Sequence, residues 1–226
     1  MTAIDAQPLT LAVDGGGQVS ALLTRPPAAS ACYVLAHGAG AGMLHPFMPA
    51  VAAALATHGV ATLRYQFPYM ERRARRPDPP RLCHATVRAA VEAAGRLAPP
   101  LALIAGGRSF GGRMSSQAQA EAPLPGVRAL AFLGFPLHPA GRPGDSRAAH
   151  LARVALPMLF VQGTRDTLAQ RPLLEALLAR LGARASIDWV EGADHSFHVP
   201  ARSGFTDAAV RAALATRLAA WIIAHA

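Results

Sequence analysis

Two short runs open the chain, Pro8–Asp14 and Gln18–Arg25, with Gly15, Gly16 and Gly17 between them. Paired runs with a short glycine loop predict an antiparallel hairpin. Cys32–Ala36 follows a Pro/Ala/Ser linker and is an unbroken apolar run, the pattern of a strand buried on both faces. Strand-like and helix-like stretches then take turns. Phe47, Val51, Leu55 and His58 share a helical face, Val60–Phe67 is strand-like, and Arg81–Leu97 is helical. Leu101–Gly106 predicts a strand, Gly111–Glu121 a helix, and Val127–Phe135 and Pro157–Gly163 two more strands. Leu174, Leu177, Leu178 and Leu181 repeat at helical spacing, Ala185–Val190 is the last strand, and a closing helix carries Leu214, Leu218, Trp221 and Ile222 on one face. Such alternation predicts an α/β fold: a mostly parallel sheet with an N-terminal antiparallel hairpin and helices on both faces. Right-handed crossovers put every strand-to-helix loop at one edge of that sheet, where ligands of such folds bind.

At 226 residues and 52% hydrophobic content the chain can bury a sizeable core, and one domain, 1–226, is expected. The net charge of +9 invites a nucleic-acid reading. All 22 basic residues are arginine, however, and they are spread from Arg25 to Arg217 without gathering on one helix, which fits a coding bias better than a binding stripe. Nucleic acid is therefore not an expected partner. Cys32 and Cys83 fall in a strand and a helix and suggest packed thiols, not a disulfide framework or a metal site. The stretch MTAIDAQPLTLAVDGGG lacks the form of a leader, and no apolar run reaches the roughly 18 residues of a membrane span. A cytoplasmic protein with no membrane contact is expected; the composition leaves its oligomeric state open.

Chemistry enters at Gly107-Arg108-Ser109-Phe110-Gly111, a G-x-S-x-G motif with a buried strand before it and a helix after it. In that setting the glycines allow a close strand-to-helix turn that holds Ser109 up as a nucleophile. A plain glycine-rich turn is the bland alternative. A serine hydroxyl needs a base, and the base an orienting acid. Asp145, Asp166, Glu175 and Asp188 lie between Ser109 and the late histidines; Asp166 stands at the carboxyl end of a buried strand and is the best placed. His195, in the loop beyond the last strand, is favoured over His198 and the near-terminal His225, and Asp194 suits a loop hydrogen bond. Donors for a developing oxyanion are expected from the Phe110 N–H and from His37-Gly-Ala-Gly-Ala-Gly42, with Ala39 as the donor there.

With these residues in place the chain resembles the α/β-hydrolases, in particular the dienelactone-hydrolase-like branch and, within it, the group related to a testis-expressed hydrolase-like protein and to a histone acetyltransferase complex subunit. The stretches LAHGAGAGMLHPFM, FPYMERRARRPDPP, GGRSFGGRMSSQ, LGFPLHPAGRP, LFVQGTRD and GADHSF carry the likeness. It implies Ser109, Asp166 and His195 as a catalytic triad, no cofactor or metal, and a Gly134–Arg153 segment too short for a lid. Arg108 stands where lysine is expected in near relatives, which keeps the charge and changes the donor geometry. The expected activity is hydrolysis of a small carboxylic ester or thioester through an acyl-enzyme. A non-catalytic interaction module and a basic anion binder are the other readings.

Arg72, Arg73, Arg108 and Arg113 are candidate substrate contacts for an anionic group, because the first two, with Arg75 and Arg76, leave the sheet at its functional edge and the others flank the serine. A carboxylate such as Glu71 or Asp78 is the expected companion of Arg113, since the first turn of a helix disfavours a cation. A solvated charge run is the plainer account of the same arginines.

Overall fold

A computed structural model describes residues 5–226; residues 1–4, the start of the stretch read for a leader, lie outside them. Strands β1 (Gln7–Val13) and β2 (Gly17–Thr24) form the expected hairpin in antiparallel register. The chain continues through β3 (Ala31–Ala36), α1 (Phe47–Thr57), β4 (Val60–Tyr65), a short α2 (Pro68–Glu71) and α3 (Pro80–Leu97). Next come β5 (Ala102–Arg108), α4 (Phe110–Glu121), β6 (Val127–Leu133), a 3-10 stretch over Ser146–Arg153 and β7 (Met158–Gly163). The last elements are α5 (Arg171–Leu181), β8 (Ala185–Val190) and α6 (Asp207–Ala224).

The eight strands form one sheet in the order β1-β2-β4-β3-β5-β6-β7-β8, with the six strands from β3 onward mutually parallel. Strand pleating divides the core in two. Cys32, Val34 and Ala36 of β3 pack into the layer that holds Cys83, Val87 and Leu174 of the helices α3 and α5. Tyr33 and Leu35 pack on the opposite face with Val51 and Leu55 of α1 and Leu214 and Leu218 of α6. A fully buried leucine such as Leu35 or Leu55 contributes about 1.5–3 kcal/mol, so the central strands are fixed from both sides.

Strand ends differ from the sequence expectation by a residue or two. β4 stops at Tyr65 because Gln66 bonds back to Ser20 and Pro68 opens α2. β6 stops at Leu133 because Gly134 turns with φ 69°. Pro80 begins α3 in the first-turn position that suits proline, and the Thr206 side chain caps α6 by accepting from the Ala209 N–H. The connection after β6 carries only the 3-10 stretch, and no lid covers the cleft among the described residues. Among them no helix is long and apolar enough to cross a membrane.

Candidate active site

The turn from β5 into α4 passes so close to β3 that side chains are excluded from it. A Cβ on Gly107 would lie 2.2 Å from the Ala36 carbonyl oxygen, and one on Gly111 2.5 Å from that of His37. Between these glycines Ser109 adopts φ 49° and ψ −114°, a conformation that costs a non-glycine residue on the order of 1–3 kcal/mol. Its N–H donates to the Leu133 carbonyl at 3.0 Å, which ties the strained residue to β6.

Two other sheet-edge loops meet the serine. The Ser109 hydroxyl donates to His195 Nε2 at 2.8 Å, and His195 Nδ1–H donates to Asp166 Oδ2 at 2.7 Å. Because the carboxylate accepts the Nδ1–H hydrogen bond and so keeps the proton on Nδ1, Nε2 is left with the lone pair that faces the hydroxyl. Asp166 is fully buried at its side chain, yet its oxygens are well supplied with donors. Oδ1 accepts the Leu168 N–H at 2.8 Å, and Oδ2 also accepts from the Gln162 amide. Gln162 in turn accepts the Phe135 N–H at 2.9 Å. A carboxylate so supplied is held in place.

The loop that holds His195 is braced from within. Asp194 accepts the N–H groups of Ser196 (2.8 Å) and His198 (3.0 Å), which makes it a loop hydrogen-bonder. Phe197 at φ 60° turns its ring into the core, stacked on Phe47 with centroids 5.7 Å apart. The Arg165 N–H donates to the Ala193 carbonyl at 2.9 Å and joins this loop to the one bearing Asp166. The other acids and histidines are occupied elsewhere: Asp145 with Arg180, Glu175 with Arg171, Asp188 with Arg217, and His198 with Asp207. His225 stacks on Trp221.

Across the serine, His37 fixes the glycine-rich loop after β3. Its Nε2 accepts the Phe67 N–H at 3.1 Å, so Nδ1 carries the proton and donates to the Gly38 carbonyl at 2.8 Å. Burial holds this ring neutral by lowering its pKa to about 4. Ala39, two residues on, lines the same cleft as Ser109 and Phe110. Phe110 opens α4, so its N–H has no acceptor inside the helix.

The cleft itself has a volume of about 680 Å³ and is walled beyond Ser109 by Arg76, Asp78, Arg113, Arg147 and Leu168. Of the arginines singled out from sequence, Arg76 and Arg113 reach it. Arg72 is drawn to Asp78, and Arg73 sits in a left-handed turn at φ 55° with its side chain in solvent. Arg108 leaves in the other direction, over the Phe47 ring at 4.9 Å and onto the Ser196 hydroxyl at 3.1 Å. The expected carboxylate beside Arg113 is missing: no ion pair among the described residues includes it. Sequence reasoning overlooked Gln162 and Arg147. Gln162 had left a signal, as the polar residue in the apolar run Met158–Gly163; Arg147, in an irregular loop, had left none. No cluster of three or more His, Cys, Asp or Glu suited to a metal ion occurs among the described residues.

This sheet order, with a serine elbow after β5, an acid after β7 and a histidine after β8, defines a known class. Residues 29–223 match the alpha/beta hydrolase domain family, and the chain belongs to it. Its fold is similar to that of a dienelactone hydrolase from Anabaena variabilis, with a TM-score of 0.80, 22% identity and 99% of each chain covered. An α/β serine hydrolase without lid from Xanthomonas campestris gives 0.73 at 22% identity, over 98% of this chain and 97% of that one. The esterase domain of a Rhodothermus marinus protein gives 0.72 at 17%, over 98% and 99%. At such identities the likeness is one of fold.

Proposed function

We propose that the chain is a serine hydrolase that cleaves a small carboxylic ester or thioester through an acyl-enzyme. The observation that carries this reading is the unbroken relay from the strained Ser109 hydroxyl through His195 to the buried Asp166. In the reaction Ser109 Oγ attacks the carbonyl carbon while His195 Nε2 takes its proton. Asp166 stabilises the imidazolium and keeps the ring in the productive tautomer. The N–H groups of Phe110 and Ala39 receive the oxyanion, an interaction typically worth about 2.7–4 kcal/mol per donor. His195 then protonates the leaving group, and a water activated by the same nitrogen hydrolyses the acyl-serine.

The esterase and dienelactone hydrolase among the similar structures support the reading at the level of reaction class. Kinship with the testis-expressed hydrolase-like group rests on the shared motifs and belongs to the same proposal. The buried, unpaired Cys32 and Cys83 suit a reducing compartment such as the cytoplasm.

Rapid mixing with short-chain nitrophenyl esters and acyl thioesters tests the reaction. The reading expects a burst of about one leaving group per chain whenever deacylation is the slower step, with turnover lost in Ser109→Ala. No turnover above buffer across such a panel would contradict it.

A further inference from the structure

A second pocket lies outside the catalytic cleft and shares no residue with it. His45, Pro46, Phe47, Arg108, Ser196 and Arg211 line it, so four parts of the fold meet there: the entry to α1, the last residue of β5, the loop after His195 and α6. Its volume is about 260 Å³, short of the roughly 300–1,000 Å³ that a drug-sized ligand fills. Such a space suits one small group.

Every polar side chain in this wall is a donor whose accepting atom, where it has one, is already used. His45 Nδ1 accepts the Phe47 N–H at 3.3 Å, so in the neutral ring Nε2 carries the proton. Burial and the Arg108 charge both lower the His45 pKa and keep that ring neutral. Ser196 Oγ accepts from Arg108 Nη2 at 3.1 Å, which leaves its own proton to give. The two guanidiniums have no accepting atom at all. Arg108 Nε is completely buried and lacks an acceptor, and neither Arg108 nor Arg211 takes part in an ion pair among the described residues. The nearby acids are engaged with other groups. Asp194 lies close enough to favour the Arg108 charge, yet it accepts the Ser196 and His198 N–H groups, and Asp207 is held by His198.

We propose that this pocket binds a phosphoryl group, as free phosphate or as the end of a small phosphorylated metabolite, at a site separate from the ester-cleaving cleft. A wall of donors with no free acceptor selects an anion. Donors on four separate elements surround a ligand instead of meeting it in one plane. A phosphoryl dianion offers three strong acceptor oxygens in a tetrahedral array, whereas a planar carboxylate offers two oxygens to the same donors. Because Ser196 directly follows His195, an anion held there ties the histidine loop to β5 and α6. The site goes beyond the hydrolase reading and binds whether or not Ser109 turns over an ester.

Isothermal titration calorimetry of the purified full chain, at constant ionic strength, tests the site with inorganic phosphate and with phenyl phosphate. A single anion binds per chain in the wild type and equally in Ser109→Ala, and acetate binds about tenfold more weakly or worse. Inorganic phosphate as the tighter probe supports a site for the free ion, and phenyl phosphate as the tighter supports one for a phosphorylated metabolite. Arg108→Gln and Arg211→Gln each weaken phosphate about tenfold or more, while Arg113→Gln, in the catalytic cleft, leaves it unchanged. Arg211→Gln carries the test even if Arg108→Gln fails to fold, because Arg211 anchors no ion pair and has no aromatic ring beneath it among the described residues. No binding of either probe, acetate as tight as phosphate, or affinity lost in Arg113→Gln and kept in Arg211→Gln overturns the site.

Discussion

Replacing Ser109 by glycine should leave a more stable protein than replacing it by alanine, the reverse of the ordinary order. Both substitutions remove the 2.8 Å hydrogen bond to His195, so that loss cancels in the comparison. What differs is the backbone. At φ 49° and ψ −114° a residue with a Cβ bears about 1–3 kcal/mol that glycine does not. Against this, glycine loses more chain entropy on folding, about 0.5–1 kcal/mol. The difference favours Ser109→Gly by roughly 1 kcal/mol, and by about 2.5 kcal/mol at the upper end. For a chain of this length each kcal/mol moves the melting temperature by about 2–4 °C. Urea unfolding of the two variants, fitted with a common m-value, measures the difference directly. Ala53→Gly, on the exposed side of α1, is the control and should cost the usual ~1 kcal/mol. If Ser109→Gly falls below Ser109→Ala by the same amount as the control, the elbow stores no strain and the argument from its backbone fails.

Asp166→Asn should lower kcat by roughly 10³–10⁴ with the fold intact, because an amide favours the wrong tautomer of His195. Asp194→Asn should cost far less, as its carboxylate serves only loop N–H groups; a crippled Asp194→Asn would move the acid. Gly111→Ala should destabilise by about 1–3 kcal/mol or more, since its methyl would meet the His37 carbonyl at 2.5 Å; chemical denaturation matching wild type would refute the close approach. Burial lowers the pKa of both His37 and His150 from 6.5 to about 4. Below pH 6.5 the unfolded chain therefore binds protons that the folded one refuses, so their stabilisation is complete above that pH and is lost as pH falls toward 4. The loss amounts to roughly 3 kcal/mol per histidine. Melting temperatures followed from neutral pH to pH 4.5 should fall accordingly, with a shallower slope in His150→Gln, and a flat profile would contradict the burial argument.

The parallel strands were legible because runs such as Cys32–Ala36 are apolar on both faces, and the structure packs them from both sides. Ser109, Asp166 and His195 were legible as neighbours because each follows a strand whose carboxyl end the crossover rule brings to one edge. The arginines were not. Their neighbours depend on turns that apolar periodicity does not encode: a left-handed Arg73 sends its side chain to solvent, Asp78 returns to capture Arg72, and the Phe47 ring draws Arg108 away from the cleft. Arg147 belongs to a 3-10 stretch inside a Pro/Gly loop, a segment with no hydrophobic repeat to place it. Arg113 lines the cleft, but among the described residues no acid pairs with it.

The account stands most directly on one covalent measurement: reaction of the purified chain with a fluorophosphonate, followed by mass-spectrometric mapping of the adduct. It predicts a single modified residue, Ser109, with labelling abolished in Ser109→Ala and greatly slowed in His195→Ala. Ser115 and Ser116, buried on the next turns of α4, should remain free. An adduct on any other residue, or labelling that persists in Ser109→Ala, would contradict the assignment of Ser109 as the nucleophile.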